Sequence, residues 1–195
     1  MSITRFEHLG DEVRHQGYLW RVVTGTFREP GGGTFRRDIV RSPGAVGVLP
    51  WWRDGDGRVR VVLIRQYRPV VNGPMIEIPA GMRDVPDEEP RVTALRELAE
   101  EVGRRADHLE QVMVMSPSPG MTDSTTVIFL ATGLTEVPSA AHGPEEEHLE
   151  ILDWSLDEAL AAIESGDITD AKTVVAVLVA DRRLRAGTLR APTTP

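Results

Sequence analysis

The hydrophobic period changes at residue 90, and that change limits the fold more than any other feature of the chain. Before it, β-formers dominate. Tyr18, Trp20, Val22, Val23, Phe27, Phe35, Ile39 and Val40 predict strands over 17–28 and 34–40, joined by a turn at Pro30-Gly31-Gly32-Gly33. Two further strands are expected over 45–51 and 59–66, because Asp54-Gly55-Asp56-Gly57 between them is a strong hairpin signal, and a shorter strand precedes Pro79. From Pro90 to Val102 the apolar residues Leu95, Leu98 and Val102 recur at helical spacing, with Pro90 suited to a first turn and Gly103 to a C-terminal cap. Strands follow over 111–115, 125–131 and 149–154. Ser155-Leu156-Asp157-Glu158 is a capping-box pattern opening a helix that Gly166 ends, and a last helix spans about 170–184. This order predicts an α+β sandwich, preceded by residues 1–42 as a small antiparallel β-layer, with the main domain over 43–186 and a loose tail over 187–195.

A chain of 195 residues has ample material for one substantial core. Its apolar runs fall far short of the roughly 20 residues a membrane helix needs, so no membrane partner is expected. There is no cysteine, which excludes disulfides, thiolate nucleophiles and Cys-ligated metal centres, and the start lacks an apolar signal region; a cytoplasmic location is the expectation. Charge is divided unevenly. Residues 1–75 carry 12 arginines against 7 acidic groups, whereas 76–195 carry 10 basic groups against 23 acidic ones, within a net charge of −8. An acidic protein is a poor generic nucleic-acid binder, since that affinity comes mostly from neutralising phosphates. An acidic half beside an arginine-bearing half suits a cation in one place and a small anion in another, and equally suits charge that only keeps the surface solvated.

The segment richest in chemistry is Arg96-Glu97-Leu98-Ala99-Glu100-Glu101-Val102-Gly103. On a helix, Glu97, Glu100 and Glu101 are related by steps of three and four and project from one face, with Leu95, Leu98 and Val102 on the other. Carboxylates so crowded repel unless a cation or an arginine compensates, and hard oxygen ligands in that number suit Mg²⁺ or Mn²⁺. On spacing alone an acidic solvated helix face is the commoner reading of such a run, and it takes precedence over a metal site.

In its wider setting this segment resembles the box of the Nudix hydrolases: a glycine, a loop with a glutamate, then Arg-Glu-(apolar)-x-Glu-Glu-x-Gly. Gly81 opens it and Arg96 to Gly103 closes it. The loop is one residue longer than the family pattern, so that Asp87 holds the spacing from Gly81 and Glu88 the spacing from Arg96; Arg104 stands where an apolar residue is usual. Flanking segments are similar to the ADP-ribose pyrophosphatase branch: Leu63-Ile64-Arg65-Gln66-Tyr67-Arg68, Glu77-Ile78-Pro79-Ala80-Gly81, Pro119 sixteen residues after Gly103, and Gly166 to Thr173.

The resemblance implies a Nudix-type α/β/α sandwich with a mixed sheet, and Mg²⁺-dependent (or Mn²⁺-dependent) hydrolysis of ADP-ribose to AMP and ribose 5-phosphate. It implies metal ligation by Glu97, Glu100, Glu101, Glu147 and the Ala80 carbonyl. Glu145 becomes the catalytic base on the acidic loop, with Glu147 beside it, and Arg96 orients the carboxylates. Arg37, Arg68, Met82, Pro119 and Gly120 become substrate contacts. The N-terminal strands would pair across a homodimer, so that Arg37 serves the partner's site. Two rival readings are a nucleoside-diphosphate sugar of another base, such as a GDP-sugar, and a Nudix-fold sensor without turnover. Other chemistries lack their motifs: the five histidines show no His-x3-His spacing, and there is neither a Gly-x-Ser-x-Gly elbow nor a Gly-x4-Gly-Lys-Ser/Thr loop. Lys172, the one lysine, is expected to form a salt bridge at a helix start.

Overall fold

The computed structural model describes residues 5–139 and 148–190, and the chain divides into two compact units, Met1–Gly44 with Ser116–Thr125 and Ala45–Met115 with Thr126–Pro195. The first unit is an antiparallel sheet in the order β1 (Glu7–Gln16), β2 (Arg21–Arg28), β3 (Thr34–Arg41). Strand β1 lay outside the sequence expectation. Every one of its residues is exposed, so no apolar alternation betrays it. Its ladder to β2 is supplemented by ion pairs that bind partners far apart in sequence: Glu7 with Arg28, Glu12 with Arg36, and Asp11 with Arg41 (2.9 Å). Residues 116–125 join this unit through Val40, whose N–H donates to the Met121 carbonyl (2.9 Å) and whose carbonyl accepts from the Thr122 hydroxyl (2.7 Å). The separate layer therefore includes a segment that sequence order assigns elsewhere.

The second unit carries a seven-stranded mixed sheet: β4 (Ala45–Arg53), β5 (Val59–Arg68), β6 (Gly73–Glu77), β7 (Ala80–Met82), β8 (Arg104–Met115), β9 (Thr126–Glu136) and β10 (Glu150–Ser155). Its path is β10-β5-β4-β9-β8, with β6 paired to β5 and β7 to β4. The β4–β9 pair is parallel and the others are antiparallel. Alternate residues of the central strands enter opposite cores. Val46, Val48, Val62, Ile64, Val127 and Phe129 pack with Ala94, Leu98 and Val102 of α1 (Pro90–Val102). Leu49, Trp51, Val61, Leu63, Ile128 and Leu130 pack with α2 (Leu156–Ser165) and α3 (Ala171–Arg185). Near-continuous apolar runs are what a strand covered on both faces requires, and each fully buried aliphatic side chain contributes about 1.5–3 kcal/mol. The result is the expected α/β/α sandwich.

The helix boundaries follow local chemistry. Gly103 ends α1 in the left-handed region (φ 60), its N–H donating to the Ala99 carbonyl (3.1 Å). Ser155 and Glu158 form the reciprocal capping box of α2, with bonds of 3.1 Å and 2.7 Å. Strand β8 starts at Arg104, seven residues before the expected strand; as an edge strand with one exposed face its polar first half shows no apolar signal. The tail also departs from expectation. The Thr188 and Leu189 amides both donate to the Arg183 carbonyl, and Leu189 is buried in the α2–α3 core, so a loose segment does not begin at 187.

Candidate active site

The ladder between β4 and β7 pairs Gly47 with Ala80, Val46 with Gly81 and Ala45 with Met82, and the Val48 amide donates to the Pro79 carbonyl (2.8 Å). The short Pro79–Met82 segment is thereby fixed to the middle of the sheet. Helix α1 lays Glu97 and Glu101 onto it. The Glu101 carboxylate accepts from the Ala80 amide (2.9 Å), and Glu97 lies so close over Gly81 that a Cβ there would sit 2.0 Å from its Cδ and Oε1. Both glutamates are buried, at 8 % and 7 % exposure, beside Thr93, Ala94, Leu98 and Val102. This corrects the sequence expectation of carboxylates on the face opposite the apolar one: Glu97 and Glu101 belong to the inward side of the helix. Glu100 is half-buried next to them.

Arg96 gathers the surrounding charge. Its Nη1 lies 2.9 Å from Glu97 and donates to Glu100 at 2.8 Å, while Nη2 lies 3.8 Å from Glu88 and 3.9 Å from Asp84. Burial opposes its charged form, yet Glu97, Glu100 and Glu88 outweigh that and hold its pKa above the ordinary arginine value. The extra loop residue is absorbed at Asp87, which takes the left-handed conformation (φ 61) that Asp tolerates better than most residues. Glu88 is consequently the loop carboxylate that meets the helix, accepting from the Thr93 hydroxyl at 2.7 Å.

A second ionic group, which sequence reasoning did not single out as a unit, supports the same segment from below. Glu77 is 2 % exposed and is held by Arg68 through two bonds (2.6 and 2.8 Å) and by Lys172. Burial raises the Glu77 pKa, but Arg68 and Lys172 overcome it and bring the value from 4.5 down to about 2. Lys172 also reaches Asp170 (3.1 Å), so the salt bridge expected at a helix start is present, with an additional partner on β6. Thr173 completes the clamp: it accepts from the Ile78 amide (2.8 Å) and donates to Asp170 (2.6 Å). The usable signal was the resemblance of the segment 166–173; the partners distant in sequence were not readable.

The remaining candidates are spread over the two units. Arg68 presents Nε and Nη2 to Glu77, and Met82 is half-buried at the end of β7. Arg37 is exposed on β3 with its guanidinium 4.9 Å from the Phe35 ring centroid, and Pro119 and Gly120 are exposed in the 116–125 segment of the first unit. Glu145 and Glu147 lie outside the described residues.

Among the described residues no group of three His, Asp or Glu side chains is arranged to hold a metal ion: Arg96 stands between Glu97 and Glu100, and Glu101 is turned to the Ala80 amide. The donor chemistry nonetheless fits a hard divalent cation. Two buried carboxylates one turn apart, with a third beside them and a backbone segment in contact, supply the anionic oxygens such ions take.

This fold and this carboxylate-bearing helix define a Nudix protein: the NUDIX domain family model matches residues 41–176, and the chain belongs to that family. It is similar to the methanol dehydrogenase activator of Bacillus methanolicus, with 40% identity over 148 residues, 76% of this chain and 77% of that one. It is also similar to the ADP-ribose pyrophosphatase of Bacillus subtilis (strain 168), with 36% identity over 148 residues and the same coverage of 76% and 77%. The crystal structure of an ADP compounds hydrolase superposes with a TM-score of 0.79 over 97% of this chain and 100% of that one, and at 24% identity this likeness speaks for the fold.

Proposed function

We propose that this protein hydrolyses the diphosphate bond of ADP-ribose to AMP and ribose 5-phosphate, using Mg²⁺ or Mn²⁺. The observation that carries the reading is the pair of buried carboxylates, Glu97 and Glu101, held against Ala80 and Gly81. The similarity to an ADP-ribose pyrophosphatase supports the choice of substrate.

Glu97, Glu101, Glu100, Glu147 and the Ala80 carbonyl would hold the metal. When bound, it would neutralise the diphosphate and lower the pKa of a water towards neutrality. Arg96 acts as a positioning residue, since its guanidinium bridges Glu97 and Glu100 and offsets their mutual repulsion. The Glu77–Arg68–Lys172 group and Thr173 keep the Glu77–Gly81 segment in register beneath the carboxylates. In this reading Glu145 accepts the proton of the attacking water, and Arg37, Arg68, Met82, Pro119 and Gly120 contact the nucleotide. Because Arg68 commits two donors to Glu77, its phosphate contact falls to Nη1. The reading further takes the protein as a cytoplasmic homodimer; exposed Phe6, Leu9, Val13 and Trp20 on the N-terminal sheet or its turns support pairing there.

Incubation with ADP-ribose and Mg²⁺, followed by chromatography, should yield AMP and ribose 5-phosphate. EDTA should abolish turnover and added Mg²⁺ or Mn²⁺ restore it. Glu97→Gln and Glu101→Gln should lower turnover by orders of magnitude with the fold intact. Absence of AMP rejects the substrate; cleavage of a GDP-sugar in its place would select the other nucleotide, and binding without hydrolysis would select a sensor. Sedimentation analysis checks the dimer.

A further inference from the structure

A cavity of about 340 Å³ opens where β4, β8 and β9 meet the first turn of α1 and the last turns of α3. Its size falls within the range of small-molecule sites, about 300–1,000 Å³. None of Glu77, Glu97, Glu100 and Glu101 lines it, so it is separate from the carboxylate site.

Its chemistry is opposite in sign to that site. Arg91, Arg183 and Arg190 line it, against one acidic residue, Glu110. Glu110 is engaged by Arg183 at 2.7 Å. Arg91 donates to the Leu109 carbonyl (2.5 Å) and Arg190 to the Gly187 carbonyl (3.0 Å), and among the described residues neither has a carboxylate at ion-pair distance. Two guanidinium groups with no carboxylate partner among the described residues thus share one depression in a chain of net charge −8. Buried Trp51, Leu109, Leu130 and Leu189 give it an apolar portion, and His108, Thr132 and Thr188 complete the lining.

We infer that this cavity binds a phosphate monoester carried on a small apolar or aromatic body. A guanidinium offers parallel donors that match phosphate oxygens, and a phosphate dianion balances two guanidinium charges. Trp51 and the leucines would take the organic portion, as apolar walls with a few placed polar groups do in small-molecule sites. The inference stands apart from the proposed activity, because it rests on other residues.

Calorimetric titration of the full chain with phenyl phosphate, in EDTA at low salt, tests it; EDTA removes the divalent ions through which a phosphate would reach the carboxylates. Binding should weaken as salt is raised, should fall about tenfold for Arg91→Ala or Arg190→Ala, and should be unchanged in Glu97→Gln. Both arginines are exposed, so the variants should melt with the parent; Arg91→Gln and Arg190→Gln serve if they do not. No binding, binding that survives loss of both arginines, or binding lost in Glu97→Gln would each overturn the assignment. Equally tight benzoate would replace phosphate by a carboxylate and refute it. Inorganic phosphate binding as tightly as phenyl phosphate would refute the apolar contribution.

Discussion

Replacing Gly81 by alanine is the sharpest probe of the carboxylate site. The added methyl would lie 2.0 Å from Cδ and Oε1 of Glu97 and 2.5 Å from its Cγ. Comfortable non-bonded contact needs about 3.5 Å, so the glutamate must retreat by roughly 1–2 Å or β7 must part from β4. Retreat is the cheaper route: an off-rotamer torsion costs about 0.5–1.5 kcal/mol, less than breaking several ladder bonds. The expected outcome is therefore a modest loss of stability, about 1 kcal/mol, together with a large loss of catalysis. A misplacement of about 1 Å in a catalytic arrangement costs about a hundredfold, and that is the drop in kcat/KM expected for ADP-ribose with Mg²⁺. Urea denaturation measures the first quantity and steady-state product formation the second. Glu97→Gln provides the reference for loss of the carboxylate without a steric change. Activity of Gly81→Ala near the parent value, at unchanged stability, would refute the claim that Glu97 must occupy the space over Gly81.

The Glu77 carboxyl sits at about 2 when folded against an ordinary 4.5, so the unfolded chain binds more protons between those values. Its contribution, about 3 kcal/mol, is present above pH 4.5 and is lost as pH falls towards 2. Urea midpoints against pH should show this acid-side fall, and Glu77→Gln should flatten it; superimposable slopes would contradict the pairing. Thr173→Val should leave the buried Ile78 amide without its acceptor and cost about 1–3 kcal/mol, read from the urea midpoint. Ser155→Ala removes the capping box of α2 and should cost about 1 kcal/mol, with kcat unchanged.

Legibility in the sequence followed the length scale of the cause. Helix α1 was readable from Pro90 to Gly103, because its apolar spacing, first-turn proline and glycine cap are all local, and the Ser155–Glu158 cap was readable for the same reason. The central strands β4, β5 and β9 declared themselves by apolar runs, since both of their faces are covered. Strand β1 and the first half of β8 were silent, because exposed edge strands are held by ladder bonds and ion pairs to distant residues. The carboxylate-rich helix could be found, but not the direction in which its glutamates point.

Residue type and spacing determined, without any coordinates, that a helix bearing Arg96, Glu97, Glu100 and Glu101 follows a Glu77–Gly81 segment. Packing alone decided that Glu97 and Glu101 turn inward, that Glu88 rather than Asp87 meets the helix, and that Lys172 crosses to Glu77. Local propensity is a sum over neighbours in the chain, whereas burial, ion pairing and pKa depend on groups up to 95 positions away. Those partners exist only once the sheet has brought them together.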